Sequence, residues 1–134
     1  MVTRLLDPNV LIALFAGDHV HHTIVRNWFV ALRGEFATCP AVEGALTRWI
    51  VRVSGHDGMR DAQRELGKLA ADPRHRFWPD DLPYDQVRPH GVLGHKQVTD
   101  AYLAALARKH QGRLVTLDRG IAALHDDVAE LIPV

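Results

Sequence analysis

Short apolar runs alternate with longer amphipathic segments along the 134-residue chain. Apolar runs bounded by turn residues predict strands, and apolar residues recurring at i, i+3, i+4 and i+7 predict helices. The predicted strands are Val2–Leu6, Phe36–Cys39, Arg74–Trp78, Arg113–Leu117 and Ala129–Val134. The predicted helices run through Val10–Phe15, His22–Leu32, Ala41–Ser54, Asp61–Ala71, Val98–His110 and Gly120–Leu124. Strands that alternate with helices favour an α/β fold with a mainly parallel sheet.

Proline and glycine mark the predicted ends of these elements. Pro8 forces extended geometry on Asp7 and fits the first turn of a helix, so a strand ends at Asp7 and a helix begins at once. Asp7 is therefore also a candidate helix cap. Gly55 and Gly58 are predicted to break the third helix, and Gly112 to cap the helix before it. The segment 79–94 is predicted as a loop with one short helix near 84–87.

Composition narrows the class of protein. The chain is 47% hydrophobic and 24% charged, which is typical of a single globular domain over residues 1–134 rather than disorder or coiled coil. Sixteen basic residues balance sixteen acidic ones, which argues against coating nucleic acid by bulk charge. The single cysteine, Cys39, and the short apolar run Val10–Ala16 predict a cytoplasmic protein with no membrane span.

Four acidic residues are placed where an α/β sheet forms sites. Asp7 and Asp118 each follow a predicted strand, at the carboxyl edge where ligands bind in such sheets. Glu43 and Asp100 lie early in two predicted helices, at the edge of each apolar stripe rather than at its solvent-facing centre. We therefore expect all four carboxylates to face a crevice beside the core.

Carboxylates that converge repel one another unless a cation lies between them. Mg²⁺ prefers oxygen ligands and commonly joins carboxylates to a substrate phosphate. In the absence of a glycine-rich phosphate loop, the acids favour metal-assisted phosphodiester hydrolysis. Helix capping and the helix dipole also favour acids at helix starts, so a purely structural role stays open for any one of the four.

Three segments in order along the chain resemble the PIN-domain ribonucleases. They are LLDPNVLIAL from Leu5, TDAYLAALA from Thr99 and LVTLD from Leu114, with Glu43 between the first two. The resemblance covers nearly the whole chain and is strongest to the VapC-type toxins of bacterial toxin–antitoxin pairs. Pro8 stands where the family often has Thr, Val or Ser, and Gly44 lowers helix propensity beside Glu43.

The resemblance implies a three-layer α/β/α fold and an endoribonuclease that uses Mg²⁺ or Mn²⁺ to cut structured RNA such as transfer or ribosomal RNA. The metal-binding acids of the family match Asp7, Glu43, Asp100 and Asp118, and supporting polar positions match Asn9 and Thr116. It further implies a metal-activated water, products with 3′-hydroxyl and 5′-phosphate ends, a homodimer, and inhibition by a cognate antitoxin.

Two other functions remain open from the sequence. A catalytically silent PIN-fold interaction module would use the same acids only for folding or partner binding. An aspartate-based phosphotransfer protein would use Asp7 as its phosphate acceptor, but dehalogenase-type enzymes need a second Asp where this chain has Asn9.

Overall fold

Five short strands form one parallel sheet in the computed structural model, which describes residues 2–134 and leaves Met1 of the predicted domain outside. The strands are β1 (Arg4–Leu6), β2 (Phe36–Thr38), β3 (His75–Phe77), β4 (Arg113–Thr116) and β5 (Ala129–Leu131). Their order across the sheet is β3-β2-β1-β4-β5, and every neighbouring pair is parallel. The predicted sheet is confirmed.

Six helices connect the strands. They are α1 (Pro8–Phe15), α2 (His22–Ala31), α3 (Pro40–Ser54), α4 (Gly58–Ala70), α5 (Val98–Lys109) and α6 (Arg119–Leu124). Short 3₁₀ turns lie at Gly55–Asp57, Tyr84–Gln86 and His95–Gln97. Within residues 2–134, no helix combines the length and apolar character needed to cross a membrane.

The connections place helices on both faces of the sheet. From β1 the chain moves to β2 and then β3, and it later returns to β4 and β5 on the other side of β1. Because parallel crossovers are right-handed, α1–α4 cover one face and α5 and α6 cover the other. The direction of winding reverses between β1 and β4, which is where open α/β sheets form their ligand crevice. This is the three-layer α/β/α fold that the family resemblance implies.

The core lies between the central strands and the helices on each face. Leu5 and Leu6 of β1 are fully buried. On one side, every residue of α5 from Ala101 to Ala107 is buried, and its small alanines allow the helix to lie close to β1 and β4. Cys39 is also buried, as expected of an inert thiol, and burial raises its pKa to about 12.

All five predicted strands are longer than the observed ones. Val2, Cys39, Arg74 and Trp78 all lie outside the strands, as does the segment from Ile132 to the C-terminus. The apolar pattern extends beyond the ladder because buried residues on either side of a short strand pack in the same core. Trp78 illustrates this, since it is 7% exposed and follows β3.

The predicted break of the third helix is confirmed at Gly55, which follows Ser54 with φ 78°, but Gly58 is not part of the break. Gly58 is the first residue of α4 and is buried against α3. A Cβ at this position would lie 2.5 Å from the Val51 Cα, so only glycine allows the two helices to approach this closely.

The prediction that Gly112 caps α5 is correct in part, because its N–H takes part in the cap although its backbone is not the left-handed one. The left-handed residue after α5 is Gln111, with φ 56°, and Gly112 donates its N–H to the Ala107 carbonyl at 2.8 Å. Gly112 is also needed for space. A Cβ there would lie 2.5 Å from the Thr3 carbonyl oxygen and 2.7 Å from the Trp78 ring.

Candidate functional site

Asp7 is a buried carboxylate at the junction of β1 and α1. It is 2% exposed, and its backbone N–H donates to the Val115 carbonyl at 3.0 Å. Asp7 occupies the N-cap position of α1, yet its side chain makes no capping hydrogen bond. The capping interpretation is therefore wrong for this residue, and its carboxylate is available for another role.

Burial raises the pKa of Asp7 to about 7. A hydrogen bond from Thr116 acts in the opposite direction, and the charges of Asp100 and Asp118 raise the pKa further. The strand-end acids of β1 and β4 and the first-turn acid of α5 thus lie near enough to repel one another. The sequence predicts that four carboxylates converge, and the charge effects on these pKa values involve three of them, Asp7, Asp100 and Asp118.

Thr116 links two of these acids at the end of β4. Its buried hydroxyl donates to Asp7 Oδ2 at 2.9 Å and accepts from the Asp118 N–H at 3.0 Å. The first hydrogen bond orients the Asp7 carboxylate, and the second holds the Asp118 backbone at the end of β4. The family resemblance implies a supporting role for Thr116, and these two contacts are compatible with it.

Asp118 caps α6. Its Oδ1 accepts from the Gly120 N–H at 2.7 Å and from the Ile121 N–H at 3.1 Å. Neither hydrogen bond uses Oδ2, so one oxygen of the carboxylate is fixed by the helix while the other remains for a ligand. The structural interpretation of Asp118 is correct, and it is compatible with ligand binding.

Asp100 approaches the same place from α5, on the opposite face of the sheet from α3. It lies in the first turn of that helix and is partly buried. Burial raises the pKa of its carboxyl group, and the charge of Asp118 raises it further.

Glu43 is held by a network that the sequence does not reveal. Its Oε2 accepts from the Thr38 hydroxyl at 2.6 Å, and the same hydroxyl lies 2.7 Å from His75 Nε2. Thr38 ends β2 and is fully buried, and His75 begins β3. Neither residue stands out in the sequence, because the register that aligns two parallel strands depends on tertiary pairing rather than on local pattern.

Asn9 takes no part in these hydrogen bonds. It is exposed in the first turn of α1, and within residues 2–134 its side chain makes no hydrogen bond to any of the four acids. Its supporting role stays a prediction.

The donor set suits a hard divalent cation. Asp7, Asp100 and Asp118 offer only carboxylate oxygens, the ligands that Mg²⁺ and Mn²⁺ prefer. Burial is the largest cause of the raised pKa of Asp7 and of Asp100, and repulsion between the acids adds to it. A bound cation would relieve this repulsion. In the part of the chain that the structure describes, no three His, Cys, Asp or Glu side chains are close enough to form a complete metal site. The four-residue ligand set therefore stays a prediction.

A cavity of about 560 Å³ opens beside the acids. Asp100 and Asp118 lie in its wall, and the rest is largely apolar, with Val92, Ile121 and Leu124. The carboxylates of Asp100 and Asp118 are thus reachable from solvent through an open, partly apolar cleft.

Comparison with known proteins agrees with this fold. The family model described as the PIN domain matches residues 4–126. Ribonuclease VapC29 of Mycobacterium tuberculosis is 52% identical over 132 residues, which cover 98% of this chain and 98% of that protein.

Two solved structures share the fold at low sequence identity. M. tuberculosis VapC20, a Sarcin-Ricin loop cleaving toxin, aligns with a TM-score of 0.72 at 17% identity, covering 97% of this chain and 99% of that one. A toxin–antitoxin complex from Klebsiella pneumoniae aligns with a TM-score of 0.61 at 20% identity, covering 90% of both chains.

Proposed function

Because the chain belongs to the PIN-domain family, and within it to the VapC-type toxins, we propose that it is a metal-dependent endoribonuclease toxin. Its substrate is structured RNA, and a cognate antitoxin inhibits it. The proposal includes a homodimer in the cytoplasm, as the family resemblance implies.

The observation that carries the proposal is that the Asp7 carboxyl group is buried and has a raised pKa. A buried carboxylate with two further carboxylates nearby is costly for a fold, and its pKa of about 7 expresses that cost. A residue needed only for folding would gain from being neutral here. An acid in this place is explained by a cation that the cluster binds.

In the proposed site Asp7, Asp100, Asp118 and Glu43 hold the metal. A bound divalent cation supplies an activated water and neutralises charge on the phosphate. The hydrogen bond from Thr116 to Oδ2 fixes the plane of the Asp7 carboxylate, and this also fixes the direction of Oδ1. The backbone of α6 holds Asp118 through Oδ1 in the same way. These contacts preorganise the ligands, so little reorientation is needed when the metal and RNA bind.

The substrate and partner follow from the relatives. VapC29 carries the name ribonuclease, and VapC20 is a toxin that cleaves the Sarcin-Ricin loop, which supports structured RNA as the substrate class here. The Klebsiella pneumoniae complex pairs a similar fold with an antitoxin, which supports such a partner for this chain. The chain's own open cleft of about 560 Å³ gives RNA or an inhibiting segment access to Asp100 and Asp118.

Cleavage of folded RNA by the purified protein tests the proposal. We expect cleavage in Mg²⁺ or Mn²⁺, none in excess chelator, and recovery when the metal is restored. Asp7→Asn is expected to remove cleavage while the circular dichroism spectrum stays unchanged. Asp85→Asn is the matched control, because Asp85 is an exposed acid in the 3₁₀ turn Tyr84–Gln86. Full activity in chelator, or an active Asp7→Asn protein, would contradict the mechanism.

A further inference from the structure

The Thr38 hydroxyl lies between Glu43 and His75, and its proton count fixes the direction of both hydrogen bonds. A threonine hydroxyl has one proton and two lone pairs, and an ionised carboxylate only accepts. Thr38 therefore donates to Glu43 Oε2, across 2.6 Å. With its proton used, the hydroxyl can only accept from His75 Nε2 at 2.7 Å, so the imidazole carries its proton on Nε2.

The sheet register brings these groups together. His75 is paired with Phe36 in the parallel ladder, so Phe36, Thr38 and His75 project from the same face of the sheet. The imidazole packs against the Phe36 ring with 5.3 Å between centroids. Glu43 reaches the same face from the first turn of α3.

A guanidinium clamp holds the start of β3 in place. Arg74 donates two hydrogen bonds to the Asp72 carboxylate, at 3.0 and 2.8 Å. It also donates to the carbonyls of Phe29 and Leu32 at the end of α2, at 2.8 and 2.9 Å. His75 directly follows Arg74, so the backbone that carries its ring is held in place by these hydrogen bonds.

We propose that His75 is a positioning residue for Glu43 and acts through the Thr38 hydroxyl, holding the carboxylate in the orientation that binds the metal. The inference rests on the proposed function, in which Glu43 is a ligand. Partners that orient a ligand in this way change metal affinity by about 10–100-fold when they are lost. The relay occupies Oε2 and leaves Oε1 to the site.

Binding of Mn²⁺ alone, measured by calorimetry on the full-length protein, tests the relay. His75→Leu removes the N–H donor, and we expect it to weaken Mn²⁺ binding by about 10-fold. His75→Gln keeps an N–H donor at similar reach and is expected to stay within about 3-fold of wild type, since the hydrogen bond is restored.

A second pair of variants tests the middle of the relay. Thr38→Val preserves volume and removes the hydroxyl, and we expect the same loss as in His75→Leu. Thr38→Ser keeps the hydroxyl and is expected to bind normally. Because both losses act on one path, the double variant Thr38→Val/His75→Leu should be no weaker than either single variant. This pair also decides the question if His75→Leu fails to fold.

The tautomer of His75 gives a readout that needs no variant. Nitrogen NMR of the imidazole at mildly alkaline pH should show the proton on Nε2, and a proton on Nδ1 would overturn the relay. Equal Mn²⁺ affinity in His75→Leu, Thr38→Val and wild type would overturn it too, while leaving the proposed function intact. A wild-type protein that binds no Mn²⁺ would contradict the proposed function itself and the relay with it.

Discussion

Asp7 and Asp118 show how one sequence pattern leads to two environments. Both are acids that follow a strand and precede a helix, and either could be a helix cap. Asp118 caps α6 through two backbone N–H groups, whereas Asp7 makes no capping bond and lies buried beside Thr116. The sequence was sufficient to place both acids at the edge of the sheet. It could not show that Asp7 is the one whose charge is made unfavourable by burial, because burial depends on what packs over each residue.

The raised pKa of Asp7 predicts an unusual pH dependence of stability in the metal-free protein. The folded-state pKa is about 7 and the ordinary value is 3.8, so the folded chain holds a proton that the unfolded chain releases. The resulting stability is complete below about pH 3.8 and declines as the pH rises towards about 7. Urea unfolding in chelator across this range measures the slope.

Asp7→Asn should remove most of that slope and raise the free energy of unfolding near pH 7 by roughly 2–4 kcal/mol. The amide keeps an oxygen that can accept from Thr116 and carries no charge. If the free energy of unfolding depended on pH in the same way in the variant and the wild type, Asp7 would not be the cause of the slope.

At the scale of elements, the alternation of strands and helices was predictable because each has its own hydrophobic period. All five strands and six helices occur where the sequence places them, with shorter strands and a longer α4. The roles of individual residues at the joints were harder to foresee. Gly112 follows a helix and has the signature of a cap, but Gln111 takes the left-handed conformation and Gly112 faces Thr3 and Trp78. Likewise, the relay from His75 to Glu43 depends on strand register, which only the tertiary pairing defines.

Gly112→Ala is expected to destabilise the protein by about 1–3 kcal/mol, because the added methyl group meets the Thr3 backbone and the Trp78 ring. Gly67→Ala is the matched control. Gly67 is exposed in α4 with open space around its Cα, so alanine should stabilise the helix by about 0.5–1 kcal/mol. Thermal unfolding of the two variants makes the comparison. Equal effects of the two substitutions would contradict the assigned close approach at Gly112.

At the scale of the whole molecule, the zero net charge conceals an uneven distribution. If Asp7, Glu43, Asp100 and Asp118 are neutralised by metal, twelve acidic residues remain against sixteen basic ones. The molecule is then a mildly basic protein around a metal-filled acidic cleft. A mildly basic surface attracts the phosphate backbone of RNA, but its charge is too small to bind all nucleic acids without selectivity. The same cleft without metal would suit a basic side chain of an inhibitor.

Sequencing of RNA 5′-phosphate ends after expression in cells tests the central claim most directly. Cells that express the wild-type chain or Asp85→Asn should accumulate new 5′-phosphate ends at a few defined positions in structured RNA and should stop growing. Cells that express Asp7→Asn should show neither effect at equal protein levels. The same new ends in Asp7→Asn cells, or none in wild-type cells that contain folded protein, would contradict the account.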